Sequence, residues 1–340
     1  MNFYTYARHY GNDILFRGVK DGKRFTARRG FQPTLFVKSQ EKSKYKSIFG
    51  ENVSPMKFPT NKEATAFFDS YKDVDNFPIF GQNYYAYQYI TENYPGEIQW
   101  DANKMAIYSI DIETTSEGGF PNVDSPSEKV LVITLQNNNT KKITTFGLGE
   151  FTPTKETSHL DIDYHGFDTE EQLLDTFLTW WQENCPDIIT GWNSNLFDMP
   201  YLITRVQRVL GDDEHKRFSP FKLINKRPIR FANREMTAFE ITGVAQLDYL
   251  DLYKKFTYVT RESYKLDFIA ETELGKNKLE SGFDTFKEFY DGDWNRFVEY
   301  NIIDTVIVDE LEDKMKLIEL AITMAYDAKC NYNDVFSAVR

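Results

Sequence analysis

Cysteine, histidine and long apolar runs are all scarce in this chain. Two cysteines, Cys185 and Cys330, stand among 340 residues. They are too few and too far apart for a disulfide framework, which suits a reducing compartment. With four histidines beside them, a zinc site has almost no ligand set to draw on. No stretch approaches the ~18 apolar residues of a membrane span. The start, Met1-Asn-Phe-Tyr-Thr-Tyr, lacks the basic segment followed by an apolar one that marks a signal peptide. These absences lead to the expectation of a cytoplasmic protein with no membrane partner. Positive charge is short as well: the net charge is -12, which argues against nucleic-acid binding by bulk attraction. It leaves room for a nuclease, because a metal site needs acids and phosphate-binding charge can be local. What is present is core material. A hydrophobic content of 41% with 16% aromatic residues excludes disorder as the general state, and the length suffices for two domains or one large one.

The first hundred residues differ from the rest. Residues 3 to 10 and 14 to 19 alternate as strands do, Asp21-Gly22 is a hairpin signal, and residues 24 to 28 form the returning strand. This region is locally basic, with Arg8, Arg17, Lys20, Lys23, Arg24, Arg28 and Arg29 interleaved with Tyr4, Tyr6, Phe16, Phe25, Phe31 and Phe36. Basic plus aromatic residues on a sheet suit single-stranded nucleic acid; the alternative is a small domain whose aromatics are simply core. Thr60-Asn-Lys-Glu63 is a capping box opening a helix to about Tyr71, and residues 84 to 90 read as a further aromatic strand.

The stretch Met105-Ala-Ile-Tyr-Ser-Ile-Asp-Ile-Glu-Thr-Thr115 organises the remainder of the chain. It reads as a buried strand, so Asp111 and Glu113 share one face while Ile112 points the other way. Two adjacent carboxylates at the end of a buried strand repel each other, and a hard divalent cation removes that penalty. A lone D-x-E is more often an ordinary strand end with solvated acids, so the other residues decide. Residues 129 to 135 and 142 to 146 extend an antiparallel meander, residues 150 to 164 read as polar loop, and Thr169 opens an amphipathic helix closed by Pro186. A short strand, residues 187 to 192, completes a β-α-β unit. Asp198 is expected at an N-cap with Pro200 in the first turn, and Gly211 stops that helix. Residues 229 to 241 suit an exposed hairpin, residues 245 to 253 a strand passing into a helix, and residues 263 to 275 another helix. Residues 294 to 328 read as helical nearly throughout and carry Tyr300-Asn-Ile-Ile-Asp304, with Tyr300 and Asp304 one turn apart on one face.

In order, then, the chain supplies D-x-E at Asp111 and Glu113, N-x-x-x-F-D ending at Asp198, and Y-x-x-x-D at Tyr300 and Asp304. This order resembles the three motifs of the 3'-to-5' proofreading exonuclease of family B DNA polymerases, of the DEDD class with tyrosine. Gly191-Trp-Asn, Leu247-Asp-Tyr-Leu-Asp-Leu-Tyr-Lys-Lys-Phe256 and Tyr300-Asn-Ile-Ile-Asp304 are similar to the replicative polymerases of large tailed, myovirus-type bacteriophages, and the similarity spans the chain. The resemblance implies an α/β (α+β) fold in three parts. Residues 1–104 would form a small β-rich domain, a candidate for contact with nucleic acid. Residues 105–320 would form an RNase H-like mixed-sheet exonuclease domain, and residues 321–340 begin a return to the first.

The resemblance also implies two Mg²⁺ (or Mn²⁺) ions, a pairing that suits phosphodiester hydrolysis because one ion activates water and the other holds the leaving oxygen. Asp111 would bridge both, Glu113 and Asp304 would complete the first, and Asp198 would hold the second, partly through water. Tyr300 would orient the attacking water by its protonated hydroxyl. Phe120 would wedge against the terminal bases, Asn193 and Lys278 would contact the substrate strand, and the hairpin with Arg230 and Arg234 would help part primer from template. The implied partners are a single-stranded 3' end, primer-template DNA, a polymerase half and, through it, a sliding clamp, in a viral protein working in the cytoplasm of a bacterial host. The pattern departs from the family in one respect. The palm and fingers motifs are missing, so polymerisation is expected only with a second half, whether the gene is split or the sequence is a fragment. A largely non-catalytic DNA-binding and assembly subunit, or a stand-alone nuclease acting on RNA, are the other readings.

Overall fold

A computed structural model describes residues 1–336 apart from 120, 232, 233, 277, 278 and 280; between 229 and 236 it describes backbone only. The described chain forms two units: Met1–Trp100 together with the chain from Met324 onward, and Asp101–Thr323.

In the first unit, β1 (Asn2–Tyr10), β2 (Asp13–Lys20) and β3 (Lys23–Gly30) make an antiparallel sheet in that order. Asp21 and Gly22 both take positive φ, 52° and 77°, which is the twist a two-residue hairpin requires. A second sheet runs β5-β6-β4-β7 from β4 (Thr34–Lys38), β5 (Tyr45–Lys46), β6 (Asn52–Lys57) and β7 (Ile79–Phe80). Between β6 and β7 lies α1 (Asn61–Tyr71), whose Thr60 side chain accepts from the Glu63 amide as the capping box predicts. Residues 84 to 90 are not a strand: α2 (Tyr85–Asn93) occupies them. Aromatic content mimicked β-propensity there, but the buried residues Tyr85, Ala86 and Ile90 fall at helical spacing, and that stripe decides the conformation. The candidate base-stacking aromatics Tyr4, Tyr6, Phe16 and Phe31 are buried, so they serve as core. Tyr326 and Tyr332 donate to the Tyr4 carbonyl at 2.7 and 2.9 Å, and the Asn331 amide bonds both the N–H and the C=O of Ala7. The chain after Met324 thus fills one side of this unit.

The second unit is built on a six-stranded mixed sheet. It comprises β8 (Ile107–Thr114), β9 (Val130–Asn137), β10 (Ile143–Leu148), β11 (Ile162–Phe167), β12 (Ile188–Thr190) and, after the separate hairpin β13 (Ile224–Phe231) and β14 (Arg234–Ile241), β15 (Ala245–Gln246). The order is β11-β10-β9-β8-β12-β15. β8, β9 and β10 are antiparallel neighbours, while β12 runs parallel to β8 and β15 parallel to β12. The first half of β11 lies in the stretch, residues 150 to 164, read from the sequence as polar loop. The strand pairs parallel to β10 because Ile162 and Tyr164 pack on one face while His165 and Phe167 stack on the Phe146 ring, an alternation too polar to stand out.

α3 (Glu170–Asn184) and α4 (Asp198–Leu210) cover one face, their apolar stripes meeting Ile110, Ile112, Ile133 and Leu135. The other face packs α7 (Phe286–Gly292) and α8 (Trp294–Met315) through Phe289, Phe297, Val298 and Ile302 against Leu131, Val132 and Ile143. α5 (Tyr249–Phe256) follows β15, α6 (Leu266–Leu274) ends at left-handed Gly275, and α9 (Leu317–Ala328) follows α8 after a break at Lys316 with φ 56°. Among the described residues no helix is long and apolar enough to cross a membrane, and both cysteines are free.

The break between α8 and α9 is held by Glu312, which accepts from the amides of Ile318 at 3.0 Å and Glu319 at 3.3 Å. Burial pushes its carboxyl up to about 7. A carboxyl raised in the folded state binds more protons folded than unfolded. Its contribution is therefore greatest below the unfolded value and is lost as pH rises toward 7. Glu312→Gln is expected to flatten the fall in stability between pH 4.5 and 7 by on the order of 2 kcal/mol; parallel denaturation series on the two proteins measure it.

Candidate active site

Strand alternation puts Ile110 and Ile112 under α3 and α4 and turns Asp111 and Glu113 toward α8. On α8, Asn301 and Asp304 meet them, one turn of helix apart. Carboxylate oxygens of Asp111, Glu113 and Asp304 lie within 4.8 Å of one another. Asp304 is buried at 5% exposure, while Asp111 and Glu113 are partly exposed. Three like charges at that separation and depth repel strongly. An all-oxygen donor set of this kind fits a hard divalent cation and not a soft one.

Asp198 approaches from the other side. It is the first residue of α4, with Phe197 at the cap, so it does not cap the helix as the sequence suggested. Its Oδ1 instead accepts from the amide of Ile112 at 3.1 Å, between the two strand acids. The carboxylate reaches across because Gly191 lets the exit of β12 lie directly on β8: a Cβ there would come within 2.5 Å of the Ile110 carbonyl. Burial first, then the charges of Asp248 and Asp304, raise the Asp198 carboxyl above the usual range.

Asp248, which sequence reasoning did not single out, is 2% exposed and shapes the loop before α4. Its Oδ1 accepts from the amides of Asn193 at 3.1 Å and Leu250 at 2.9 Å, and its Oδ2 from Asn195 at 2.9 Å. Burial pushes it up to about 7. Asn193 takes φ 66° within this loop. A second missed residue is Asn301, fully buried, whose Nδ2 donates to Asp111 Oδ2 at 2.6 Å. Its position three residues before Asp304 was the available signal. A third is Glu128, which accepts from the Thr115 hydroxyl and from the amides of Glu117 at 3.2 Å and Gly118 at 3.0 Å.

Tyr300, four residues before Asp304 on α8, packs its ring edge-on to Phe286 at 6.4 Å and Phe289 at 5.8 Å. Arg230 and Arg234 fall in the hairpin β13–β14, opposite Glu235 and Phe231 in register; their side chains lie outside the described residues. Phe120 and Lys278 lie outside them altogether.

The family described as DNA polymerase family B, exonuclease domain, matches residues 81–269, more than half of the chain. The chain belongs to this family. Beyond the matched segment, similarity continues through α8. The DNA-directed DNA polymerase of Enterobacteria phage T4 is 31% identical over 99% of this chain and 40% of its own length. That of Escherichia phage RB69 is 29% identical over the same shares. The DNA polymerase catalytic subunit of Gallid herpesvirus 2 is 27% identical over 64% of this chain and 19% of its own length. The chain therefore spans less than half of the curated family B relatives it matches.

Proposed function

We propose that this family B exonuclease domain is a 3'-to-5' exodeoxyribonuclease of the DEDD class with tyrosine, removing the 3'-terminal nucleotide of DNA with two Mg²⁺ or Mn²⁺ ions. The reading rests on one observation above the others: acids from a strand and from a helix about 190 residues later converge within 4.8 Å. Asp111, Glu113 and Asp304 would hold one ion, with Asp111 shared and Asp198 serving the second. Bound there, the ions supply an activated water and neutralise charge developing on the phosphate. An RNase H-like core fits the sheet: β8, β9 and β10 are antiparallel and the later β12 and β15 run parallel to β8, with β11 added at the far edge beside β10.

The chain's own residues do the remainder. Asn301 holds Asp111, the amide of Ile112 holds Asp198, and Asp248 holds the loop carrying Asn193. Tyr300, one turn from Asp304, carries a hydroxyl that would donate to the attacking water. Tyr300→Phe keeps the ring against Phe286 and Phe289, so the expected outcome is a fall in turnover of about 10- to 100-fold with little change in KM, read from single-turnover kinetics.

The deciding experiment tracks a 5'-labelled single-stranded DNA in Mg²⁺ or Mn²⁺. Stepwise shortening from the 3' end, stopped by EDTA and absent on the equivalent RNA, supports the reading. Strand binding without shortening refutes it and leaves the DNA-binding and assembly role. Primer-template DNA, a polymerase portion and, through it, a sliding clamp are the partners implied by the same reading.

A further inference from the structure

A strand carrying a phosphate every nucleotide must enter a site lined by Asp111, Glu113, Asp304 and Asp198, in a chain of net charge -12. Bulk attraction does not bring it there; the proposed divalent ions would serve the phosphate being cleaved, and phosphates further along the strand need cations of the chain's own. Lys287 stands in α7, one residue from Phe286, whose ring packs on Tyr300. Its Nζ lies 3.0 Å from Oε1 of Glu117, with side chains 52% and 65% exposed.

Glu117 comes four residues after Glu113, in the turn that follows β8; at ~3.3 Å per residue four residues reach at most the span of about two nucleotides. Its backbone is fixed. The Glu128 carboxylate, 8% exposed, binds the amides of Glu117 and Gly118, and the Glu128 carbonyl accepts from Tyr201 of α4 at 2.7 Å. The backbone on the acid side of the pair is therefore held, while the ion pair itself lies in solvent. An exposed pair of long side chains contributes little net stability, so an arriving phosphate can take the lysine at little cost.

Resting on the exonuclease reading, we infer that Lys287 binds a backbone phosphate of the substrate strand and that Glu117 is its resident competitor, holding the ammonium until a strand arrives. The two residues then act in opposite directions on strand binding, and a direct phosphate contact, unlike a distant charge, also lowers the salt slope when the lysine is removed.

The test uses the full chain and a short single-stranded oligonucleotide in Ca²⁺, by fluorescence anisotropy across a salt series. Lys287→Ala is expected to weaken binding about fivefold at low salt and to lower the slope of log affinity against log salt by ~0.7, one single-strand phosphate contact. Glu117→Gln is expected to tighten binding about threefold, because the competitor loses its charge. Any other combination overturns the inference, including losses in both variants or an unchanged slope. Both side chains are largely solvated, and unchanged thermal midpoints confirm intact folding. Shortening of the strand in Mg²⁺ is scored separately. Opposed affinity shifts without shortening would sink the nuclease reading and leave the phosphate contact, whereas shortening without them would do the reverse.

Discussion

Replacing Asp111 and Glu113 together by alanine is expected to abolish metal-dependent hydrolysis and, in metal-free buffer, to raise the thermal midpoint. Both effects have one cause. The three acids lie within 4.8 Å, and like charges that close repel one another. Removing two of them relieves the metal-free fold, while removing most of the donor set eliminates the charge that would hold a cation. Losing that stabilisation of several kcal/mol corresponds to at least about a thousandfold in rate. Calorimetric titration with Mn²⁺ should show the binding heat disappear in the same variant. A double variant that keeps hydrolysing, or whose metal-free form is less stable than the parent, would mean that the acids meet for a structural reason.

Much of this arrangement is legible in residue order alone, and the residues show why. Asp111 and Glu113 come from strand period, and Tyr300 with Asp304 from helical period, because both rules act within a few residues. The hairpin at Asp21-Gly22 and the cap at Thr60 are equally local, and both were legible. What stayed hidden depends on closure over distance. Asp248 looks like a helix cap until the loop at Asn193 and Asn195, more than fifty residues earlier, folds onto it. Glu128 is one more polar residue before a strand until Thr115, Glu117 and Gly118 turn back to it. Residues 84 to 90 misled for a different reason: aromatic side chains suit a pleated surface in isolation, and only burial along one helical stripe outweighs that preference. The placement of Asp198 belongs to the same class. Nothing local shows that one of its oxygens will be used by Ile112, in a strand 86 residues earlier.

Asn301 offers the sharpest separation between holding the site and merely filling space. Its side chain is fully buried, it donates to Asp111 at 2.6 Å, and its own Oδ1 has no hydrogen-bond partner among the described residues. A buried amide left half satisfied is costly, and the compensation on view is the fixed orientation of the carboxylate shared by both proposed ions. Asn301→Ala should therefore weaken Mn²⁺ binding about 10- to 100-fold, the usual scale for groups that orient a ligand, with activity partly restored at high Mn²⁺. Asn301→Asp should be worse despite its similar size. It replaces a donor with an acceptor, brings two carboxylate oxygens to hydrogen-bond distance in a poorly solvated place, and forces one to take a proton or move. The expected order of metal affinity is parent, then alanine, then aspartate, with metal-free stability lowest for aspartate. If alanine and aspartate bind Mn²⁺ as the parent does, Asn301 is packing alone, and the orientation of Asp111 must come from elsewhere in the strand.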